Sequence, residues 1–498
     1  MPALALKDIS LLNWLRILWV LVVFWYEYGL FKYRLAYCKW GDKQPAKSTV
    51  NPHHVLLLTD PQVRTLSTIG RGFLGSLRLW VYHESLKKNW AYAKSLRPDS
   101  IVFLGDILHA GQKIERDDEY MEAVSHFLQI FSTREETDLY FVPGNEDVGL
   151  DLLASSTPQA RDRYFKYFGH ANRKVSISKH TFVFLDAPLL VEEDYHRAKM
   201  HKGYEEWKAG DDGSVEFIRS FRGNDTDPQQ PVILFSHIPL YRPDTASCGP
   251  LREYGTIHRG AGPGYQNTLG KLTTEFIFEH ISPSLVFSGD DRDYCEYTHE
   301  SQHTSQPVHI REVTVKSFSP FKDIRHPGFH LLSLTPPDAQ STSAKRTFID
   351  SPCFLPDQTS TYTSVYFPLS AITLLVLAII TLRKPHGRYT SLLPSTSPVS
   401  YRSRRSRSPP KRPTADRRIS WTFSLSSPPS TPLASPWSRT RKESRLSITL
   451  DKIDLGRYTP SHSPAYRALQ VLLGVFVSFG SAILPAVVLW TFIAWTSG

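Results

Sequence analysis

Five short segments recur in one pattern along the middle of this chain, and they constrain its fold more than any other feature: LLLTDPQ (56–62), VFLGDILHAG (102–111), FVPGNEDVG (141–149), ILFSHIPLYR (233–242) and VFSGDDRDYCEYTH (286–299). Each is an apolar run that breaks into Asp, Asn, Gln or His. Short continuous apolar runs read as strands buried on both faces, and ligands collect where the carboxyl ends of such strands open into loops. One cluster of this kind is ordinary turn chemistry. Five in series predict strand ends that converge on a single site.

Carboxylates, an amide and an imidazole on such loops are oxygen and nitrogen donors suited to Mn, Fe, Zn or Mg, and the accompanying glycines let the backbone approach closely. The expected centre holds two divalent ions with one Asp between them and serves in-line attack of water on phosphorus. On these residues the series resembles the calcineurin-type metallophosphoesterases, whose motifs run D-x-H, GD, GNH[DE], H and GHxH. Roughly over 55–334, the strings DPQ, HIPLYRPDTASCGPLRE, GYQNTLGKLTTEF and SGDDRDYCEYTH resemble the fungal cell-division-control and cargo-trafficking branch, and more distantly the animal post-GPI-attachment phosphoesterases. The resemblance implies a metal-dependent phosphodiester hydrolase of the secretory pathway, with Mn2+ as the expected metal and one or two ions per chain. Its implied substrate is ethanolamine phosphate on a mannose of the GPI anchor, so that it affects transport of GPI-anchored proteins.

By that resemblance Asp60, Asp106, Asn145 and His237 are metal ligands, with Asp106 shared between the ions, and Gln62 and Asp290 stand at two further ligand positions where the wider family has histidine. Two positions depart further. Glu146 takes the place of the histidine expected to protonate the leaving oxygen, and a carboxylate beside two cations is held ionised. Loss of an acid catalyst costs on the order of 10²- to 10⁴-fold in rate. Arg292 takes the place of the second histidine of GHxH, and a guanidinium has no lone pair for a metal. It can clamp a phosphate or pair with Asp60, Asp290 or Asp293. Asp106, Glu146 and Arg292 are thus the expected catalytic set. These departures predict that the ion held by Asp106, Asn145, His237 and Asp290 persists while the one at Asp60 is weak or absent, unless Asp291 or Asp293 supplies a substitute ligand. His109, just after GDIL, and Arg242, just past His237, are expected substrate contacts.

Outside the five-motif region lie three apolar stretches, at 11–31, 366–382 and 467–495. The first lacks a small-residue cleavage site and reads as a retained signal anchor, and the others as membrane spans. The expected order is a cytosolic N-terminus (1–10), the anchor, a linker (32–50), the phosphoesterase domain (51–335), a second linker (336–365), a span, a Ser/Pro/Arg-rich loop (383–466) and the last span. Between Arg383 and Arg457 stand 17 Lys or Arg against four acids, a net of +13 where the whole chain carries +10, so the remainder sums to about −3. The basicity therefore belongs to one loop. By the positive-inside rule that loop is cytosolic and the domain lumenal, in the endoplasmic reticulum or early Golgi. The loop is too poor in aliphatic residues to fold alone. It is expected to lie on anionic membrane lipid, tuned by phosphorylation at Ser406, Ser408 and Ser420. Its RS dipeptides come without an RNA-recognition motif, so no nucleic-acid partner is expected.

Within the domain, strands and helices alternate and consecutive strands follow near 310–315 and 329–334, which predicts an α/β fold. The resemblance makes it a four-layer αββα sandwich. Asn224 opens a glycosylation sequon, Asn224-Asp225-Thr226. Of the three pairings open to four cysteines, Cys38 with Cys353 and Cys248 with Cys295 would join membrane-proximal ends and tie two site loops; four free thiols are the other reading. Two functions stay open on sequence: a lumenal phosphodiesterase, or a catalytically weakened homologue that binds the GPI glycan or cargo.

Overall fold

The computed structural model describes residues 10–41, 51–150, 159–208, 210, 212–221, 230–301, 308–320, 324–336, 347–383 and 464–497. Two units divide the chain, 1–379 together with 473–498, and 380–472. Of the second, only 380–383 and 464–472 are described, as continuations of two helices. The tract 384–463 and the sequon at Asn224 lie outside the described residues.

The strands are β1 (His53–Leu58), β2 (Ser100–Leu104), β3 (Asp138–Val142), β4 (Arg173–Ile177), β5 (His180–Leu185), β6 (Val232–Ser236), β7 (Ala261–Gly262), β8 (Tyr265–Gln266), β9 (Leu285–Ser288), β10 (Cys295–Ser301), β11 (Val308–Thr314), β12 (Gly328–Leu334) and β13 (Phe348–Phe354). They form a five-stranded sheet in the order β13-β12-β1-β2-β3, a six-stranded sheet in the order β10-β11-β9-β6-β5-β4, and the small hairpin β7-β8. In the first sheet β1, β2 and β3 run parallel, and in the second β5, β6, β9 and β11 do.

The alternation of side chains along each strand assigns the layers. Val55, Leu57, Val102 and Leu104 face inward and meet Phe182, Phe184, Phe235 and Phe287 of the second sheet. Their neighbours Leu56, Leu58, Ile101 and Phe103 face outward onto Leu86, Trp90, Tyr120 and Phe127, carried by helices Phe73–Lys94 and Asp117–Ile130. Val183, Leu185 and Leu234 pack on helices Ala187–Lys199, Ser214–Ser220 and Lys271–His280. The four layers are those of the expected αββα sandwich.

The domain runs past the expected boundary at 335. Strand β13, which falls in the expected linker 336–365, pairs antiparallel with β12 and closes the edge of the first sheet. Pro352 argues against a strand in a sequence reading, but an edge strand tolerates a residue without an N–H. Cys353 on this strand is bonded to Cys38, and Cys248 to Cys295, with Cα separations of 5.4 and 4.4 Å. Of the readings left open above, these two pairings are the ones formed, and not the four free thiols.

Among the described residues, three helices are long and apolar enough to cross a membrane: Leu11–Leu35, Gln358–Arg383 and Ala468–Ile493. Glu27, within the first of them, is buried: its carboxylate meets the Lys88 ammonium of the domain and accepts the Tyr366 hydroxyl at 2.8 Å. An acid under the domain thus links the first and second apolar helices to helix Phe73–Lys94.

Candidate metal centre

All five apolar runs end at one edge of the sandwich: β1 leads to Asp60 and Gln62, β2 to Asp106, β3 to Asn145 and Glu146, β6 to His237, and β9 to Asp290 and Arg292. Asp60, Gln62, Asp106, Asp290 and Arg292 adopt left-handed backbone, with φ of 49°, 44°, 51°, 62° and 70°. Such a conformation costs a non-glycine residue about 1–3 kcal/mol. Five of them together are strain that the surrounding structure holds in place at the site. The loops also touch. A Cβ on Gly144 would come 2.2 Å from Asp106 Oδ1, and one on Gly105, at φ +90°, would come 2.3 Å from His237 Nδ1.

Ligand atoms of Asp60, Asp106 and His237 lie within 4.8 Å of one another, and all three residues are buried. His237 Nδ1 donates to the Leu104 carbonyl at 2.6 Å, which leaves Nε2 without a proton in the neutral ring. That nitrogen faces Asn145 Oδ1 at 3.1 Å, Asp106 Oδ1 at 3.3 Å and Asp290 Oδ1 at 3.6 Å. The Asn145 amide nitrogen donates to the Gly264 carbonyl at 3.0 Å, so its oxygen is the atom turned inward. One nitrogen and three oxygens thus converge, with the imidazole and the amide each oriented by a backbone carbonyl.

Gln62 and Asp60 bring further donors beside Asp106. Gln62 Nε2 donates to Asp106 Oδ2 and to Glu146 Oε1, each at 3.2 Å. An amide between two carboxylates must present its NH2 group to them, so its oxygen points elsewhere. Gln62 Oε1 and Asp60 Oδ1 are buried and have no hydrogen-bond partner among the described residues. Leaving a buried acceptor unsatisfied costs about 1–3 kcal/mol, and a hard divalent cation is the partner that an oxygen-only set fits.

The electrostatics agree. Burial, then the neighbouring Asp106, pushes the Asp60 carboxyl up to about 8. The same two causes push Asp147 up to about 7. For His237 the burial that disfavours its charge is outweighed by Asp106 and Asp290, which push it well above the usual imidazole range. Asp106 is buried too, but His237 and the Glu146 N–H outweigh this and hold it below the carboxylate range. Without added positive charge, acids and imidazole must share protons; divalent cations supply that charge and reverse the shifts.

The centre opens into a pocket of about 540 Å³ lined by His109, Lys113, Asn145, Tyr265, Asp290 and Arg292 among others. Glu146 Oε2 accepts the Ala110 N–H at 2.9 Å, and His109 Nδ1 lies 2.9 Å from the same oxygen, at ion-pair distance though not aligned as a hydrogen bond. Arg292 approaches Glu146 Oε1 at 3.5 Å. Glu146 is therefore held between His109, Arg292, Gln62 and a backbone amide.

Arg242, expected to contact substrate, does not reach the pocket. It is fully buried, pairs with Glu312 at 2.7 Å, and Glu312 in turn meets His299 at 2.7 Å. Its place in the sequence just past His237 misleads because the chain turns into the interior of the second sheet there. Asp291 and Asp293 are also committed elsewhere. Asp291 pairs with Arg252 at 2.5 Å, and Asp293 with Lys316 at 2.9 Å while accepting the Glu253 N–H at 2.8 Å. Neither stands as a substitute ligand.

Sequence reading passed over two features of the site. Asp147 accepts the N–H groups of Gly144 at 2.9 Å and Leu108 at 3.0 Å, and so locks the second and third loops together. Its signal was the acid that closes the GNH[DE] pattern. The β7-β8 turn supplies Gly264 and Tyr265 to the pocket wall, and the GYQNTLG string marked it only as a resemblance.

Residues 53–294 match the calcineurin-like phosphoesterase family. This stretch therefore carries a calcineurin-like phosphoesterase domain, with the donors of a metal-dependent phosphoesterase at its site. It is homologous to Cell division control protein 1 of Saccharomyces cerevisiae, with 29% identity over 357 residues that cover 68% of each chain. It is likewise homologous to Metallophosphoesterase 1 of Danio rerio, with 24% identity over 380 residues, 72% of this chain and 87% of that protein. Among solved structures, a dimetal phosphatase from Danio rerio is similar at 18% identity over 57% of this chain and 94% of that one, with a TM-score of 0.33.

Proposed function

We propose that this protein hydrolyses a phosphodiester on a membrane glycolipid, namely the ethanolamine phosphate on a mannose of the GPI anchor, from the lumenal side of the endoplasmic reticulum or early Golgi. The reading rests on one observation above the rest: buried Asp60 Oδ1 and Gln62 Oε1, with no hydrogen-bond partner among the described residues, beside a convergent Asp106, Asn145, His237 and Asp290. The GPI substrate is supported by the resemblance of the DPQ and SGDDRDYCEYTH strings, and the lumenal side by two disulfides and the +13 tract between two apolar helices.

Asp60, Gln62 and Asp106 would hold one divalent ion, and Asp106, Asn145, His237 and Asp290 another, with Mn2+ suited to this oxygen-rich set. Bound there, the ions supply a nucleophile at neutral pH and stabilise charge on phosphorus. Arg292, 40% exposed at its side chain, brings a permanent cation to the pocket for the phosphoryl oxygens. Glu146 acts as a positioning residue for His109. His109 lines the pocket with its side chain 30% exposed, and with Nδ1 buried against Glu146 its Nε2 is the nitrogen left for the substrate. A proton on that nitrogen is delivered to the departing alkoxide, in place of the histidine that position 146 lacks.

Purified full-length chain given Mn2+ and a GPI glycolipid bearing ethanolamine phosphate is expected to release it, as read by mass spectrometry of the glycolipid. Turnover of an aryl phosphodiester without such release would overturn the substrate, and turnover of neither would overturn the hydrolase.

A further inference from the structure

The first two turns of helix Phe73–Lys94 carry an apolar face that the domain does not cover. Phe73 is 82% exposed, Leu74 66%, Leu77 44% and Trp80 43%, while Leu79 on the opposite side is buried. Their spacing puts all four on one stripe, and exposed Arg71 and Arg78 flank it. Contiguous exposed aromatic and aliphatic side chains mark an interaction surface, and Trp with flanking Arg is the composition of a membrane–water boundary. The patch is also continuous with the apolar helices. The Trp80 ring meets Trp490 of helix Pro464–Ser497 edge-on at 5.1 Å between centroids, and Lys88, two turns further along the same helix, pairs with Glu27 of helix Leu11–Leu35.

The same helix reaches the metal centre. The Tyr82 hydroxyl donates to the Gln62 carbonyl at 2.9 Å, His83 Nε2 lies 2.9 Å from the Arg64 carbonyl, and the Arg64 guanidinium stacks over Tyr82 at 4.7 Å. The segment that faces outward beside Trp490 is thus joined, within one turn, to the loop that bears Asp60 and Gln62.

We propose that residues 70–80 lie in the interfacial layer of the bilayer spanned by the chain's own apolar helices, and so place the metal centre beside the membrane surface, where its substrate is a phosphodiester carried by a lipid. This rests on the hydrolase reading above and adds the means by which a lipid-linked substrate is selected.

The test uses the full chain in nanodiscs. All four native cysteines are bonded, so Phe73→Cys provides a unique thiol for an environment-sensitive fluorophore, and Leu272→Cys, 64% exposed on helix Lys271–His280, provides the control. Bromine-labelled lipids are expected to quench the probe at 73 and not at 272. In parallel, the double variant Phe73→Ser/Leu74→Ser is expected to lower kcat/KM about tenfold on a phosphodiester presented in the bilayer, with a soluble aryl phosphodiester turned over as before. A probe at 73 that is unquenched, or equal losses on both substrates, would overturn the proposal. Quenching is read without any substrate, so a failure to act on the GPI glycolipid leaves this result standing and is told apart from it.

Discussion

Replacing His109 with alanine is expected to lower kcat on alkyl phosphodiesters by on the order of 10²- to 10⁴-fold, the contribution of a positioned general acid. An alkoxide is a poor leaving group and needs a proton as the P–O bond breaks, whereas an aryl leaving group departs with little help. The same variant should therefore change turnover of an aryl phosphodiester by less than about tenfold. The distinction matters because His109 is near the centre and a structural role would depress both substrates alike. His109 Nδ1 sits 2.9 Å from Glu146, so Glu146→Gln should show the same split in milder form, by releasing the ring from its orienting charge. Steady-state kinetics on the two substrate types decide it; parallel losses would show that position 109 supports the loop and does not donate the proton.

Gly144→Ala is expected to lower kcat/KM on every phosphodiester by at least about 10²-fold, since misplacement of reacting groups by about 1 Å is worth that much. The added methyl would fall 2.2 Å from both the backbone nitrogen and Oδ1 of Asp106. The loops bearing Asp106 and Asn145 must then separate, and Asp106 belongs to both donor sets. The effect comes from a collision, so affinity for Mn2+ should fall with activity. Titration of Mn2+ against activity checks this: an unchanged midpoint would mean that the loops tolerate the methyl and the close approach is incidental.

Much of this centre was legible because it obeys two local rules. Buried parallel strands print as apolar runs, and the residues just past them are the ones that meet, so Asp60, Asp106, Asn145, His237 and Asp290 could be named in advance. Arg242 obeys the same rule of position and fails, because a sequence does not say whether a side chain past a strand end turns out to the pocket or in to Glu312. Strand β13 was lost for a related reason: Pro352 suits an edge strand, and edge position is a property of the sheet. The relation of His109 to Glu146 joins two residues 37 positions apart through the packing of β2 beside β3, so no local pattern carries it. The expectation of a weak ion at Asp60 came from the departures at Glu146 and Arg292. A sequence does not show that Asp60 Oδ1 and Gln62 Oε1 are buried with no hydrogen-bond partner among the described residues.

The count of metal ions tests this account most directly. Full-length chain equilibrated with Mn2+, freed of unbound metal by gel filtration and measured by plasma mass spectrometry, is expected to hold two ions, one falling away in Asp60→Ala. A single ion in the native chain, unchanged by Asp60→Ala, would contradict it and leave Asp60 Oδ1 and Gln62 Oε1 without the cation that their burial demands.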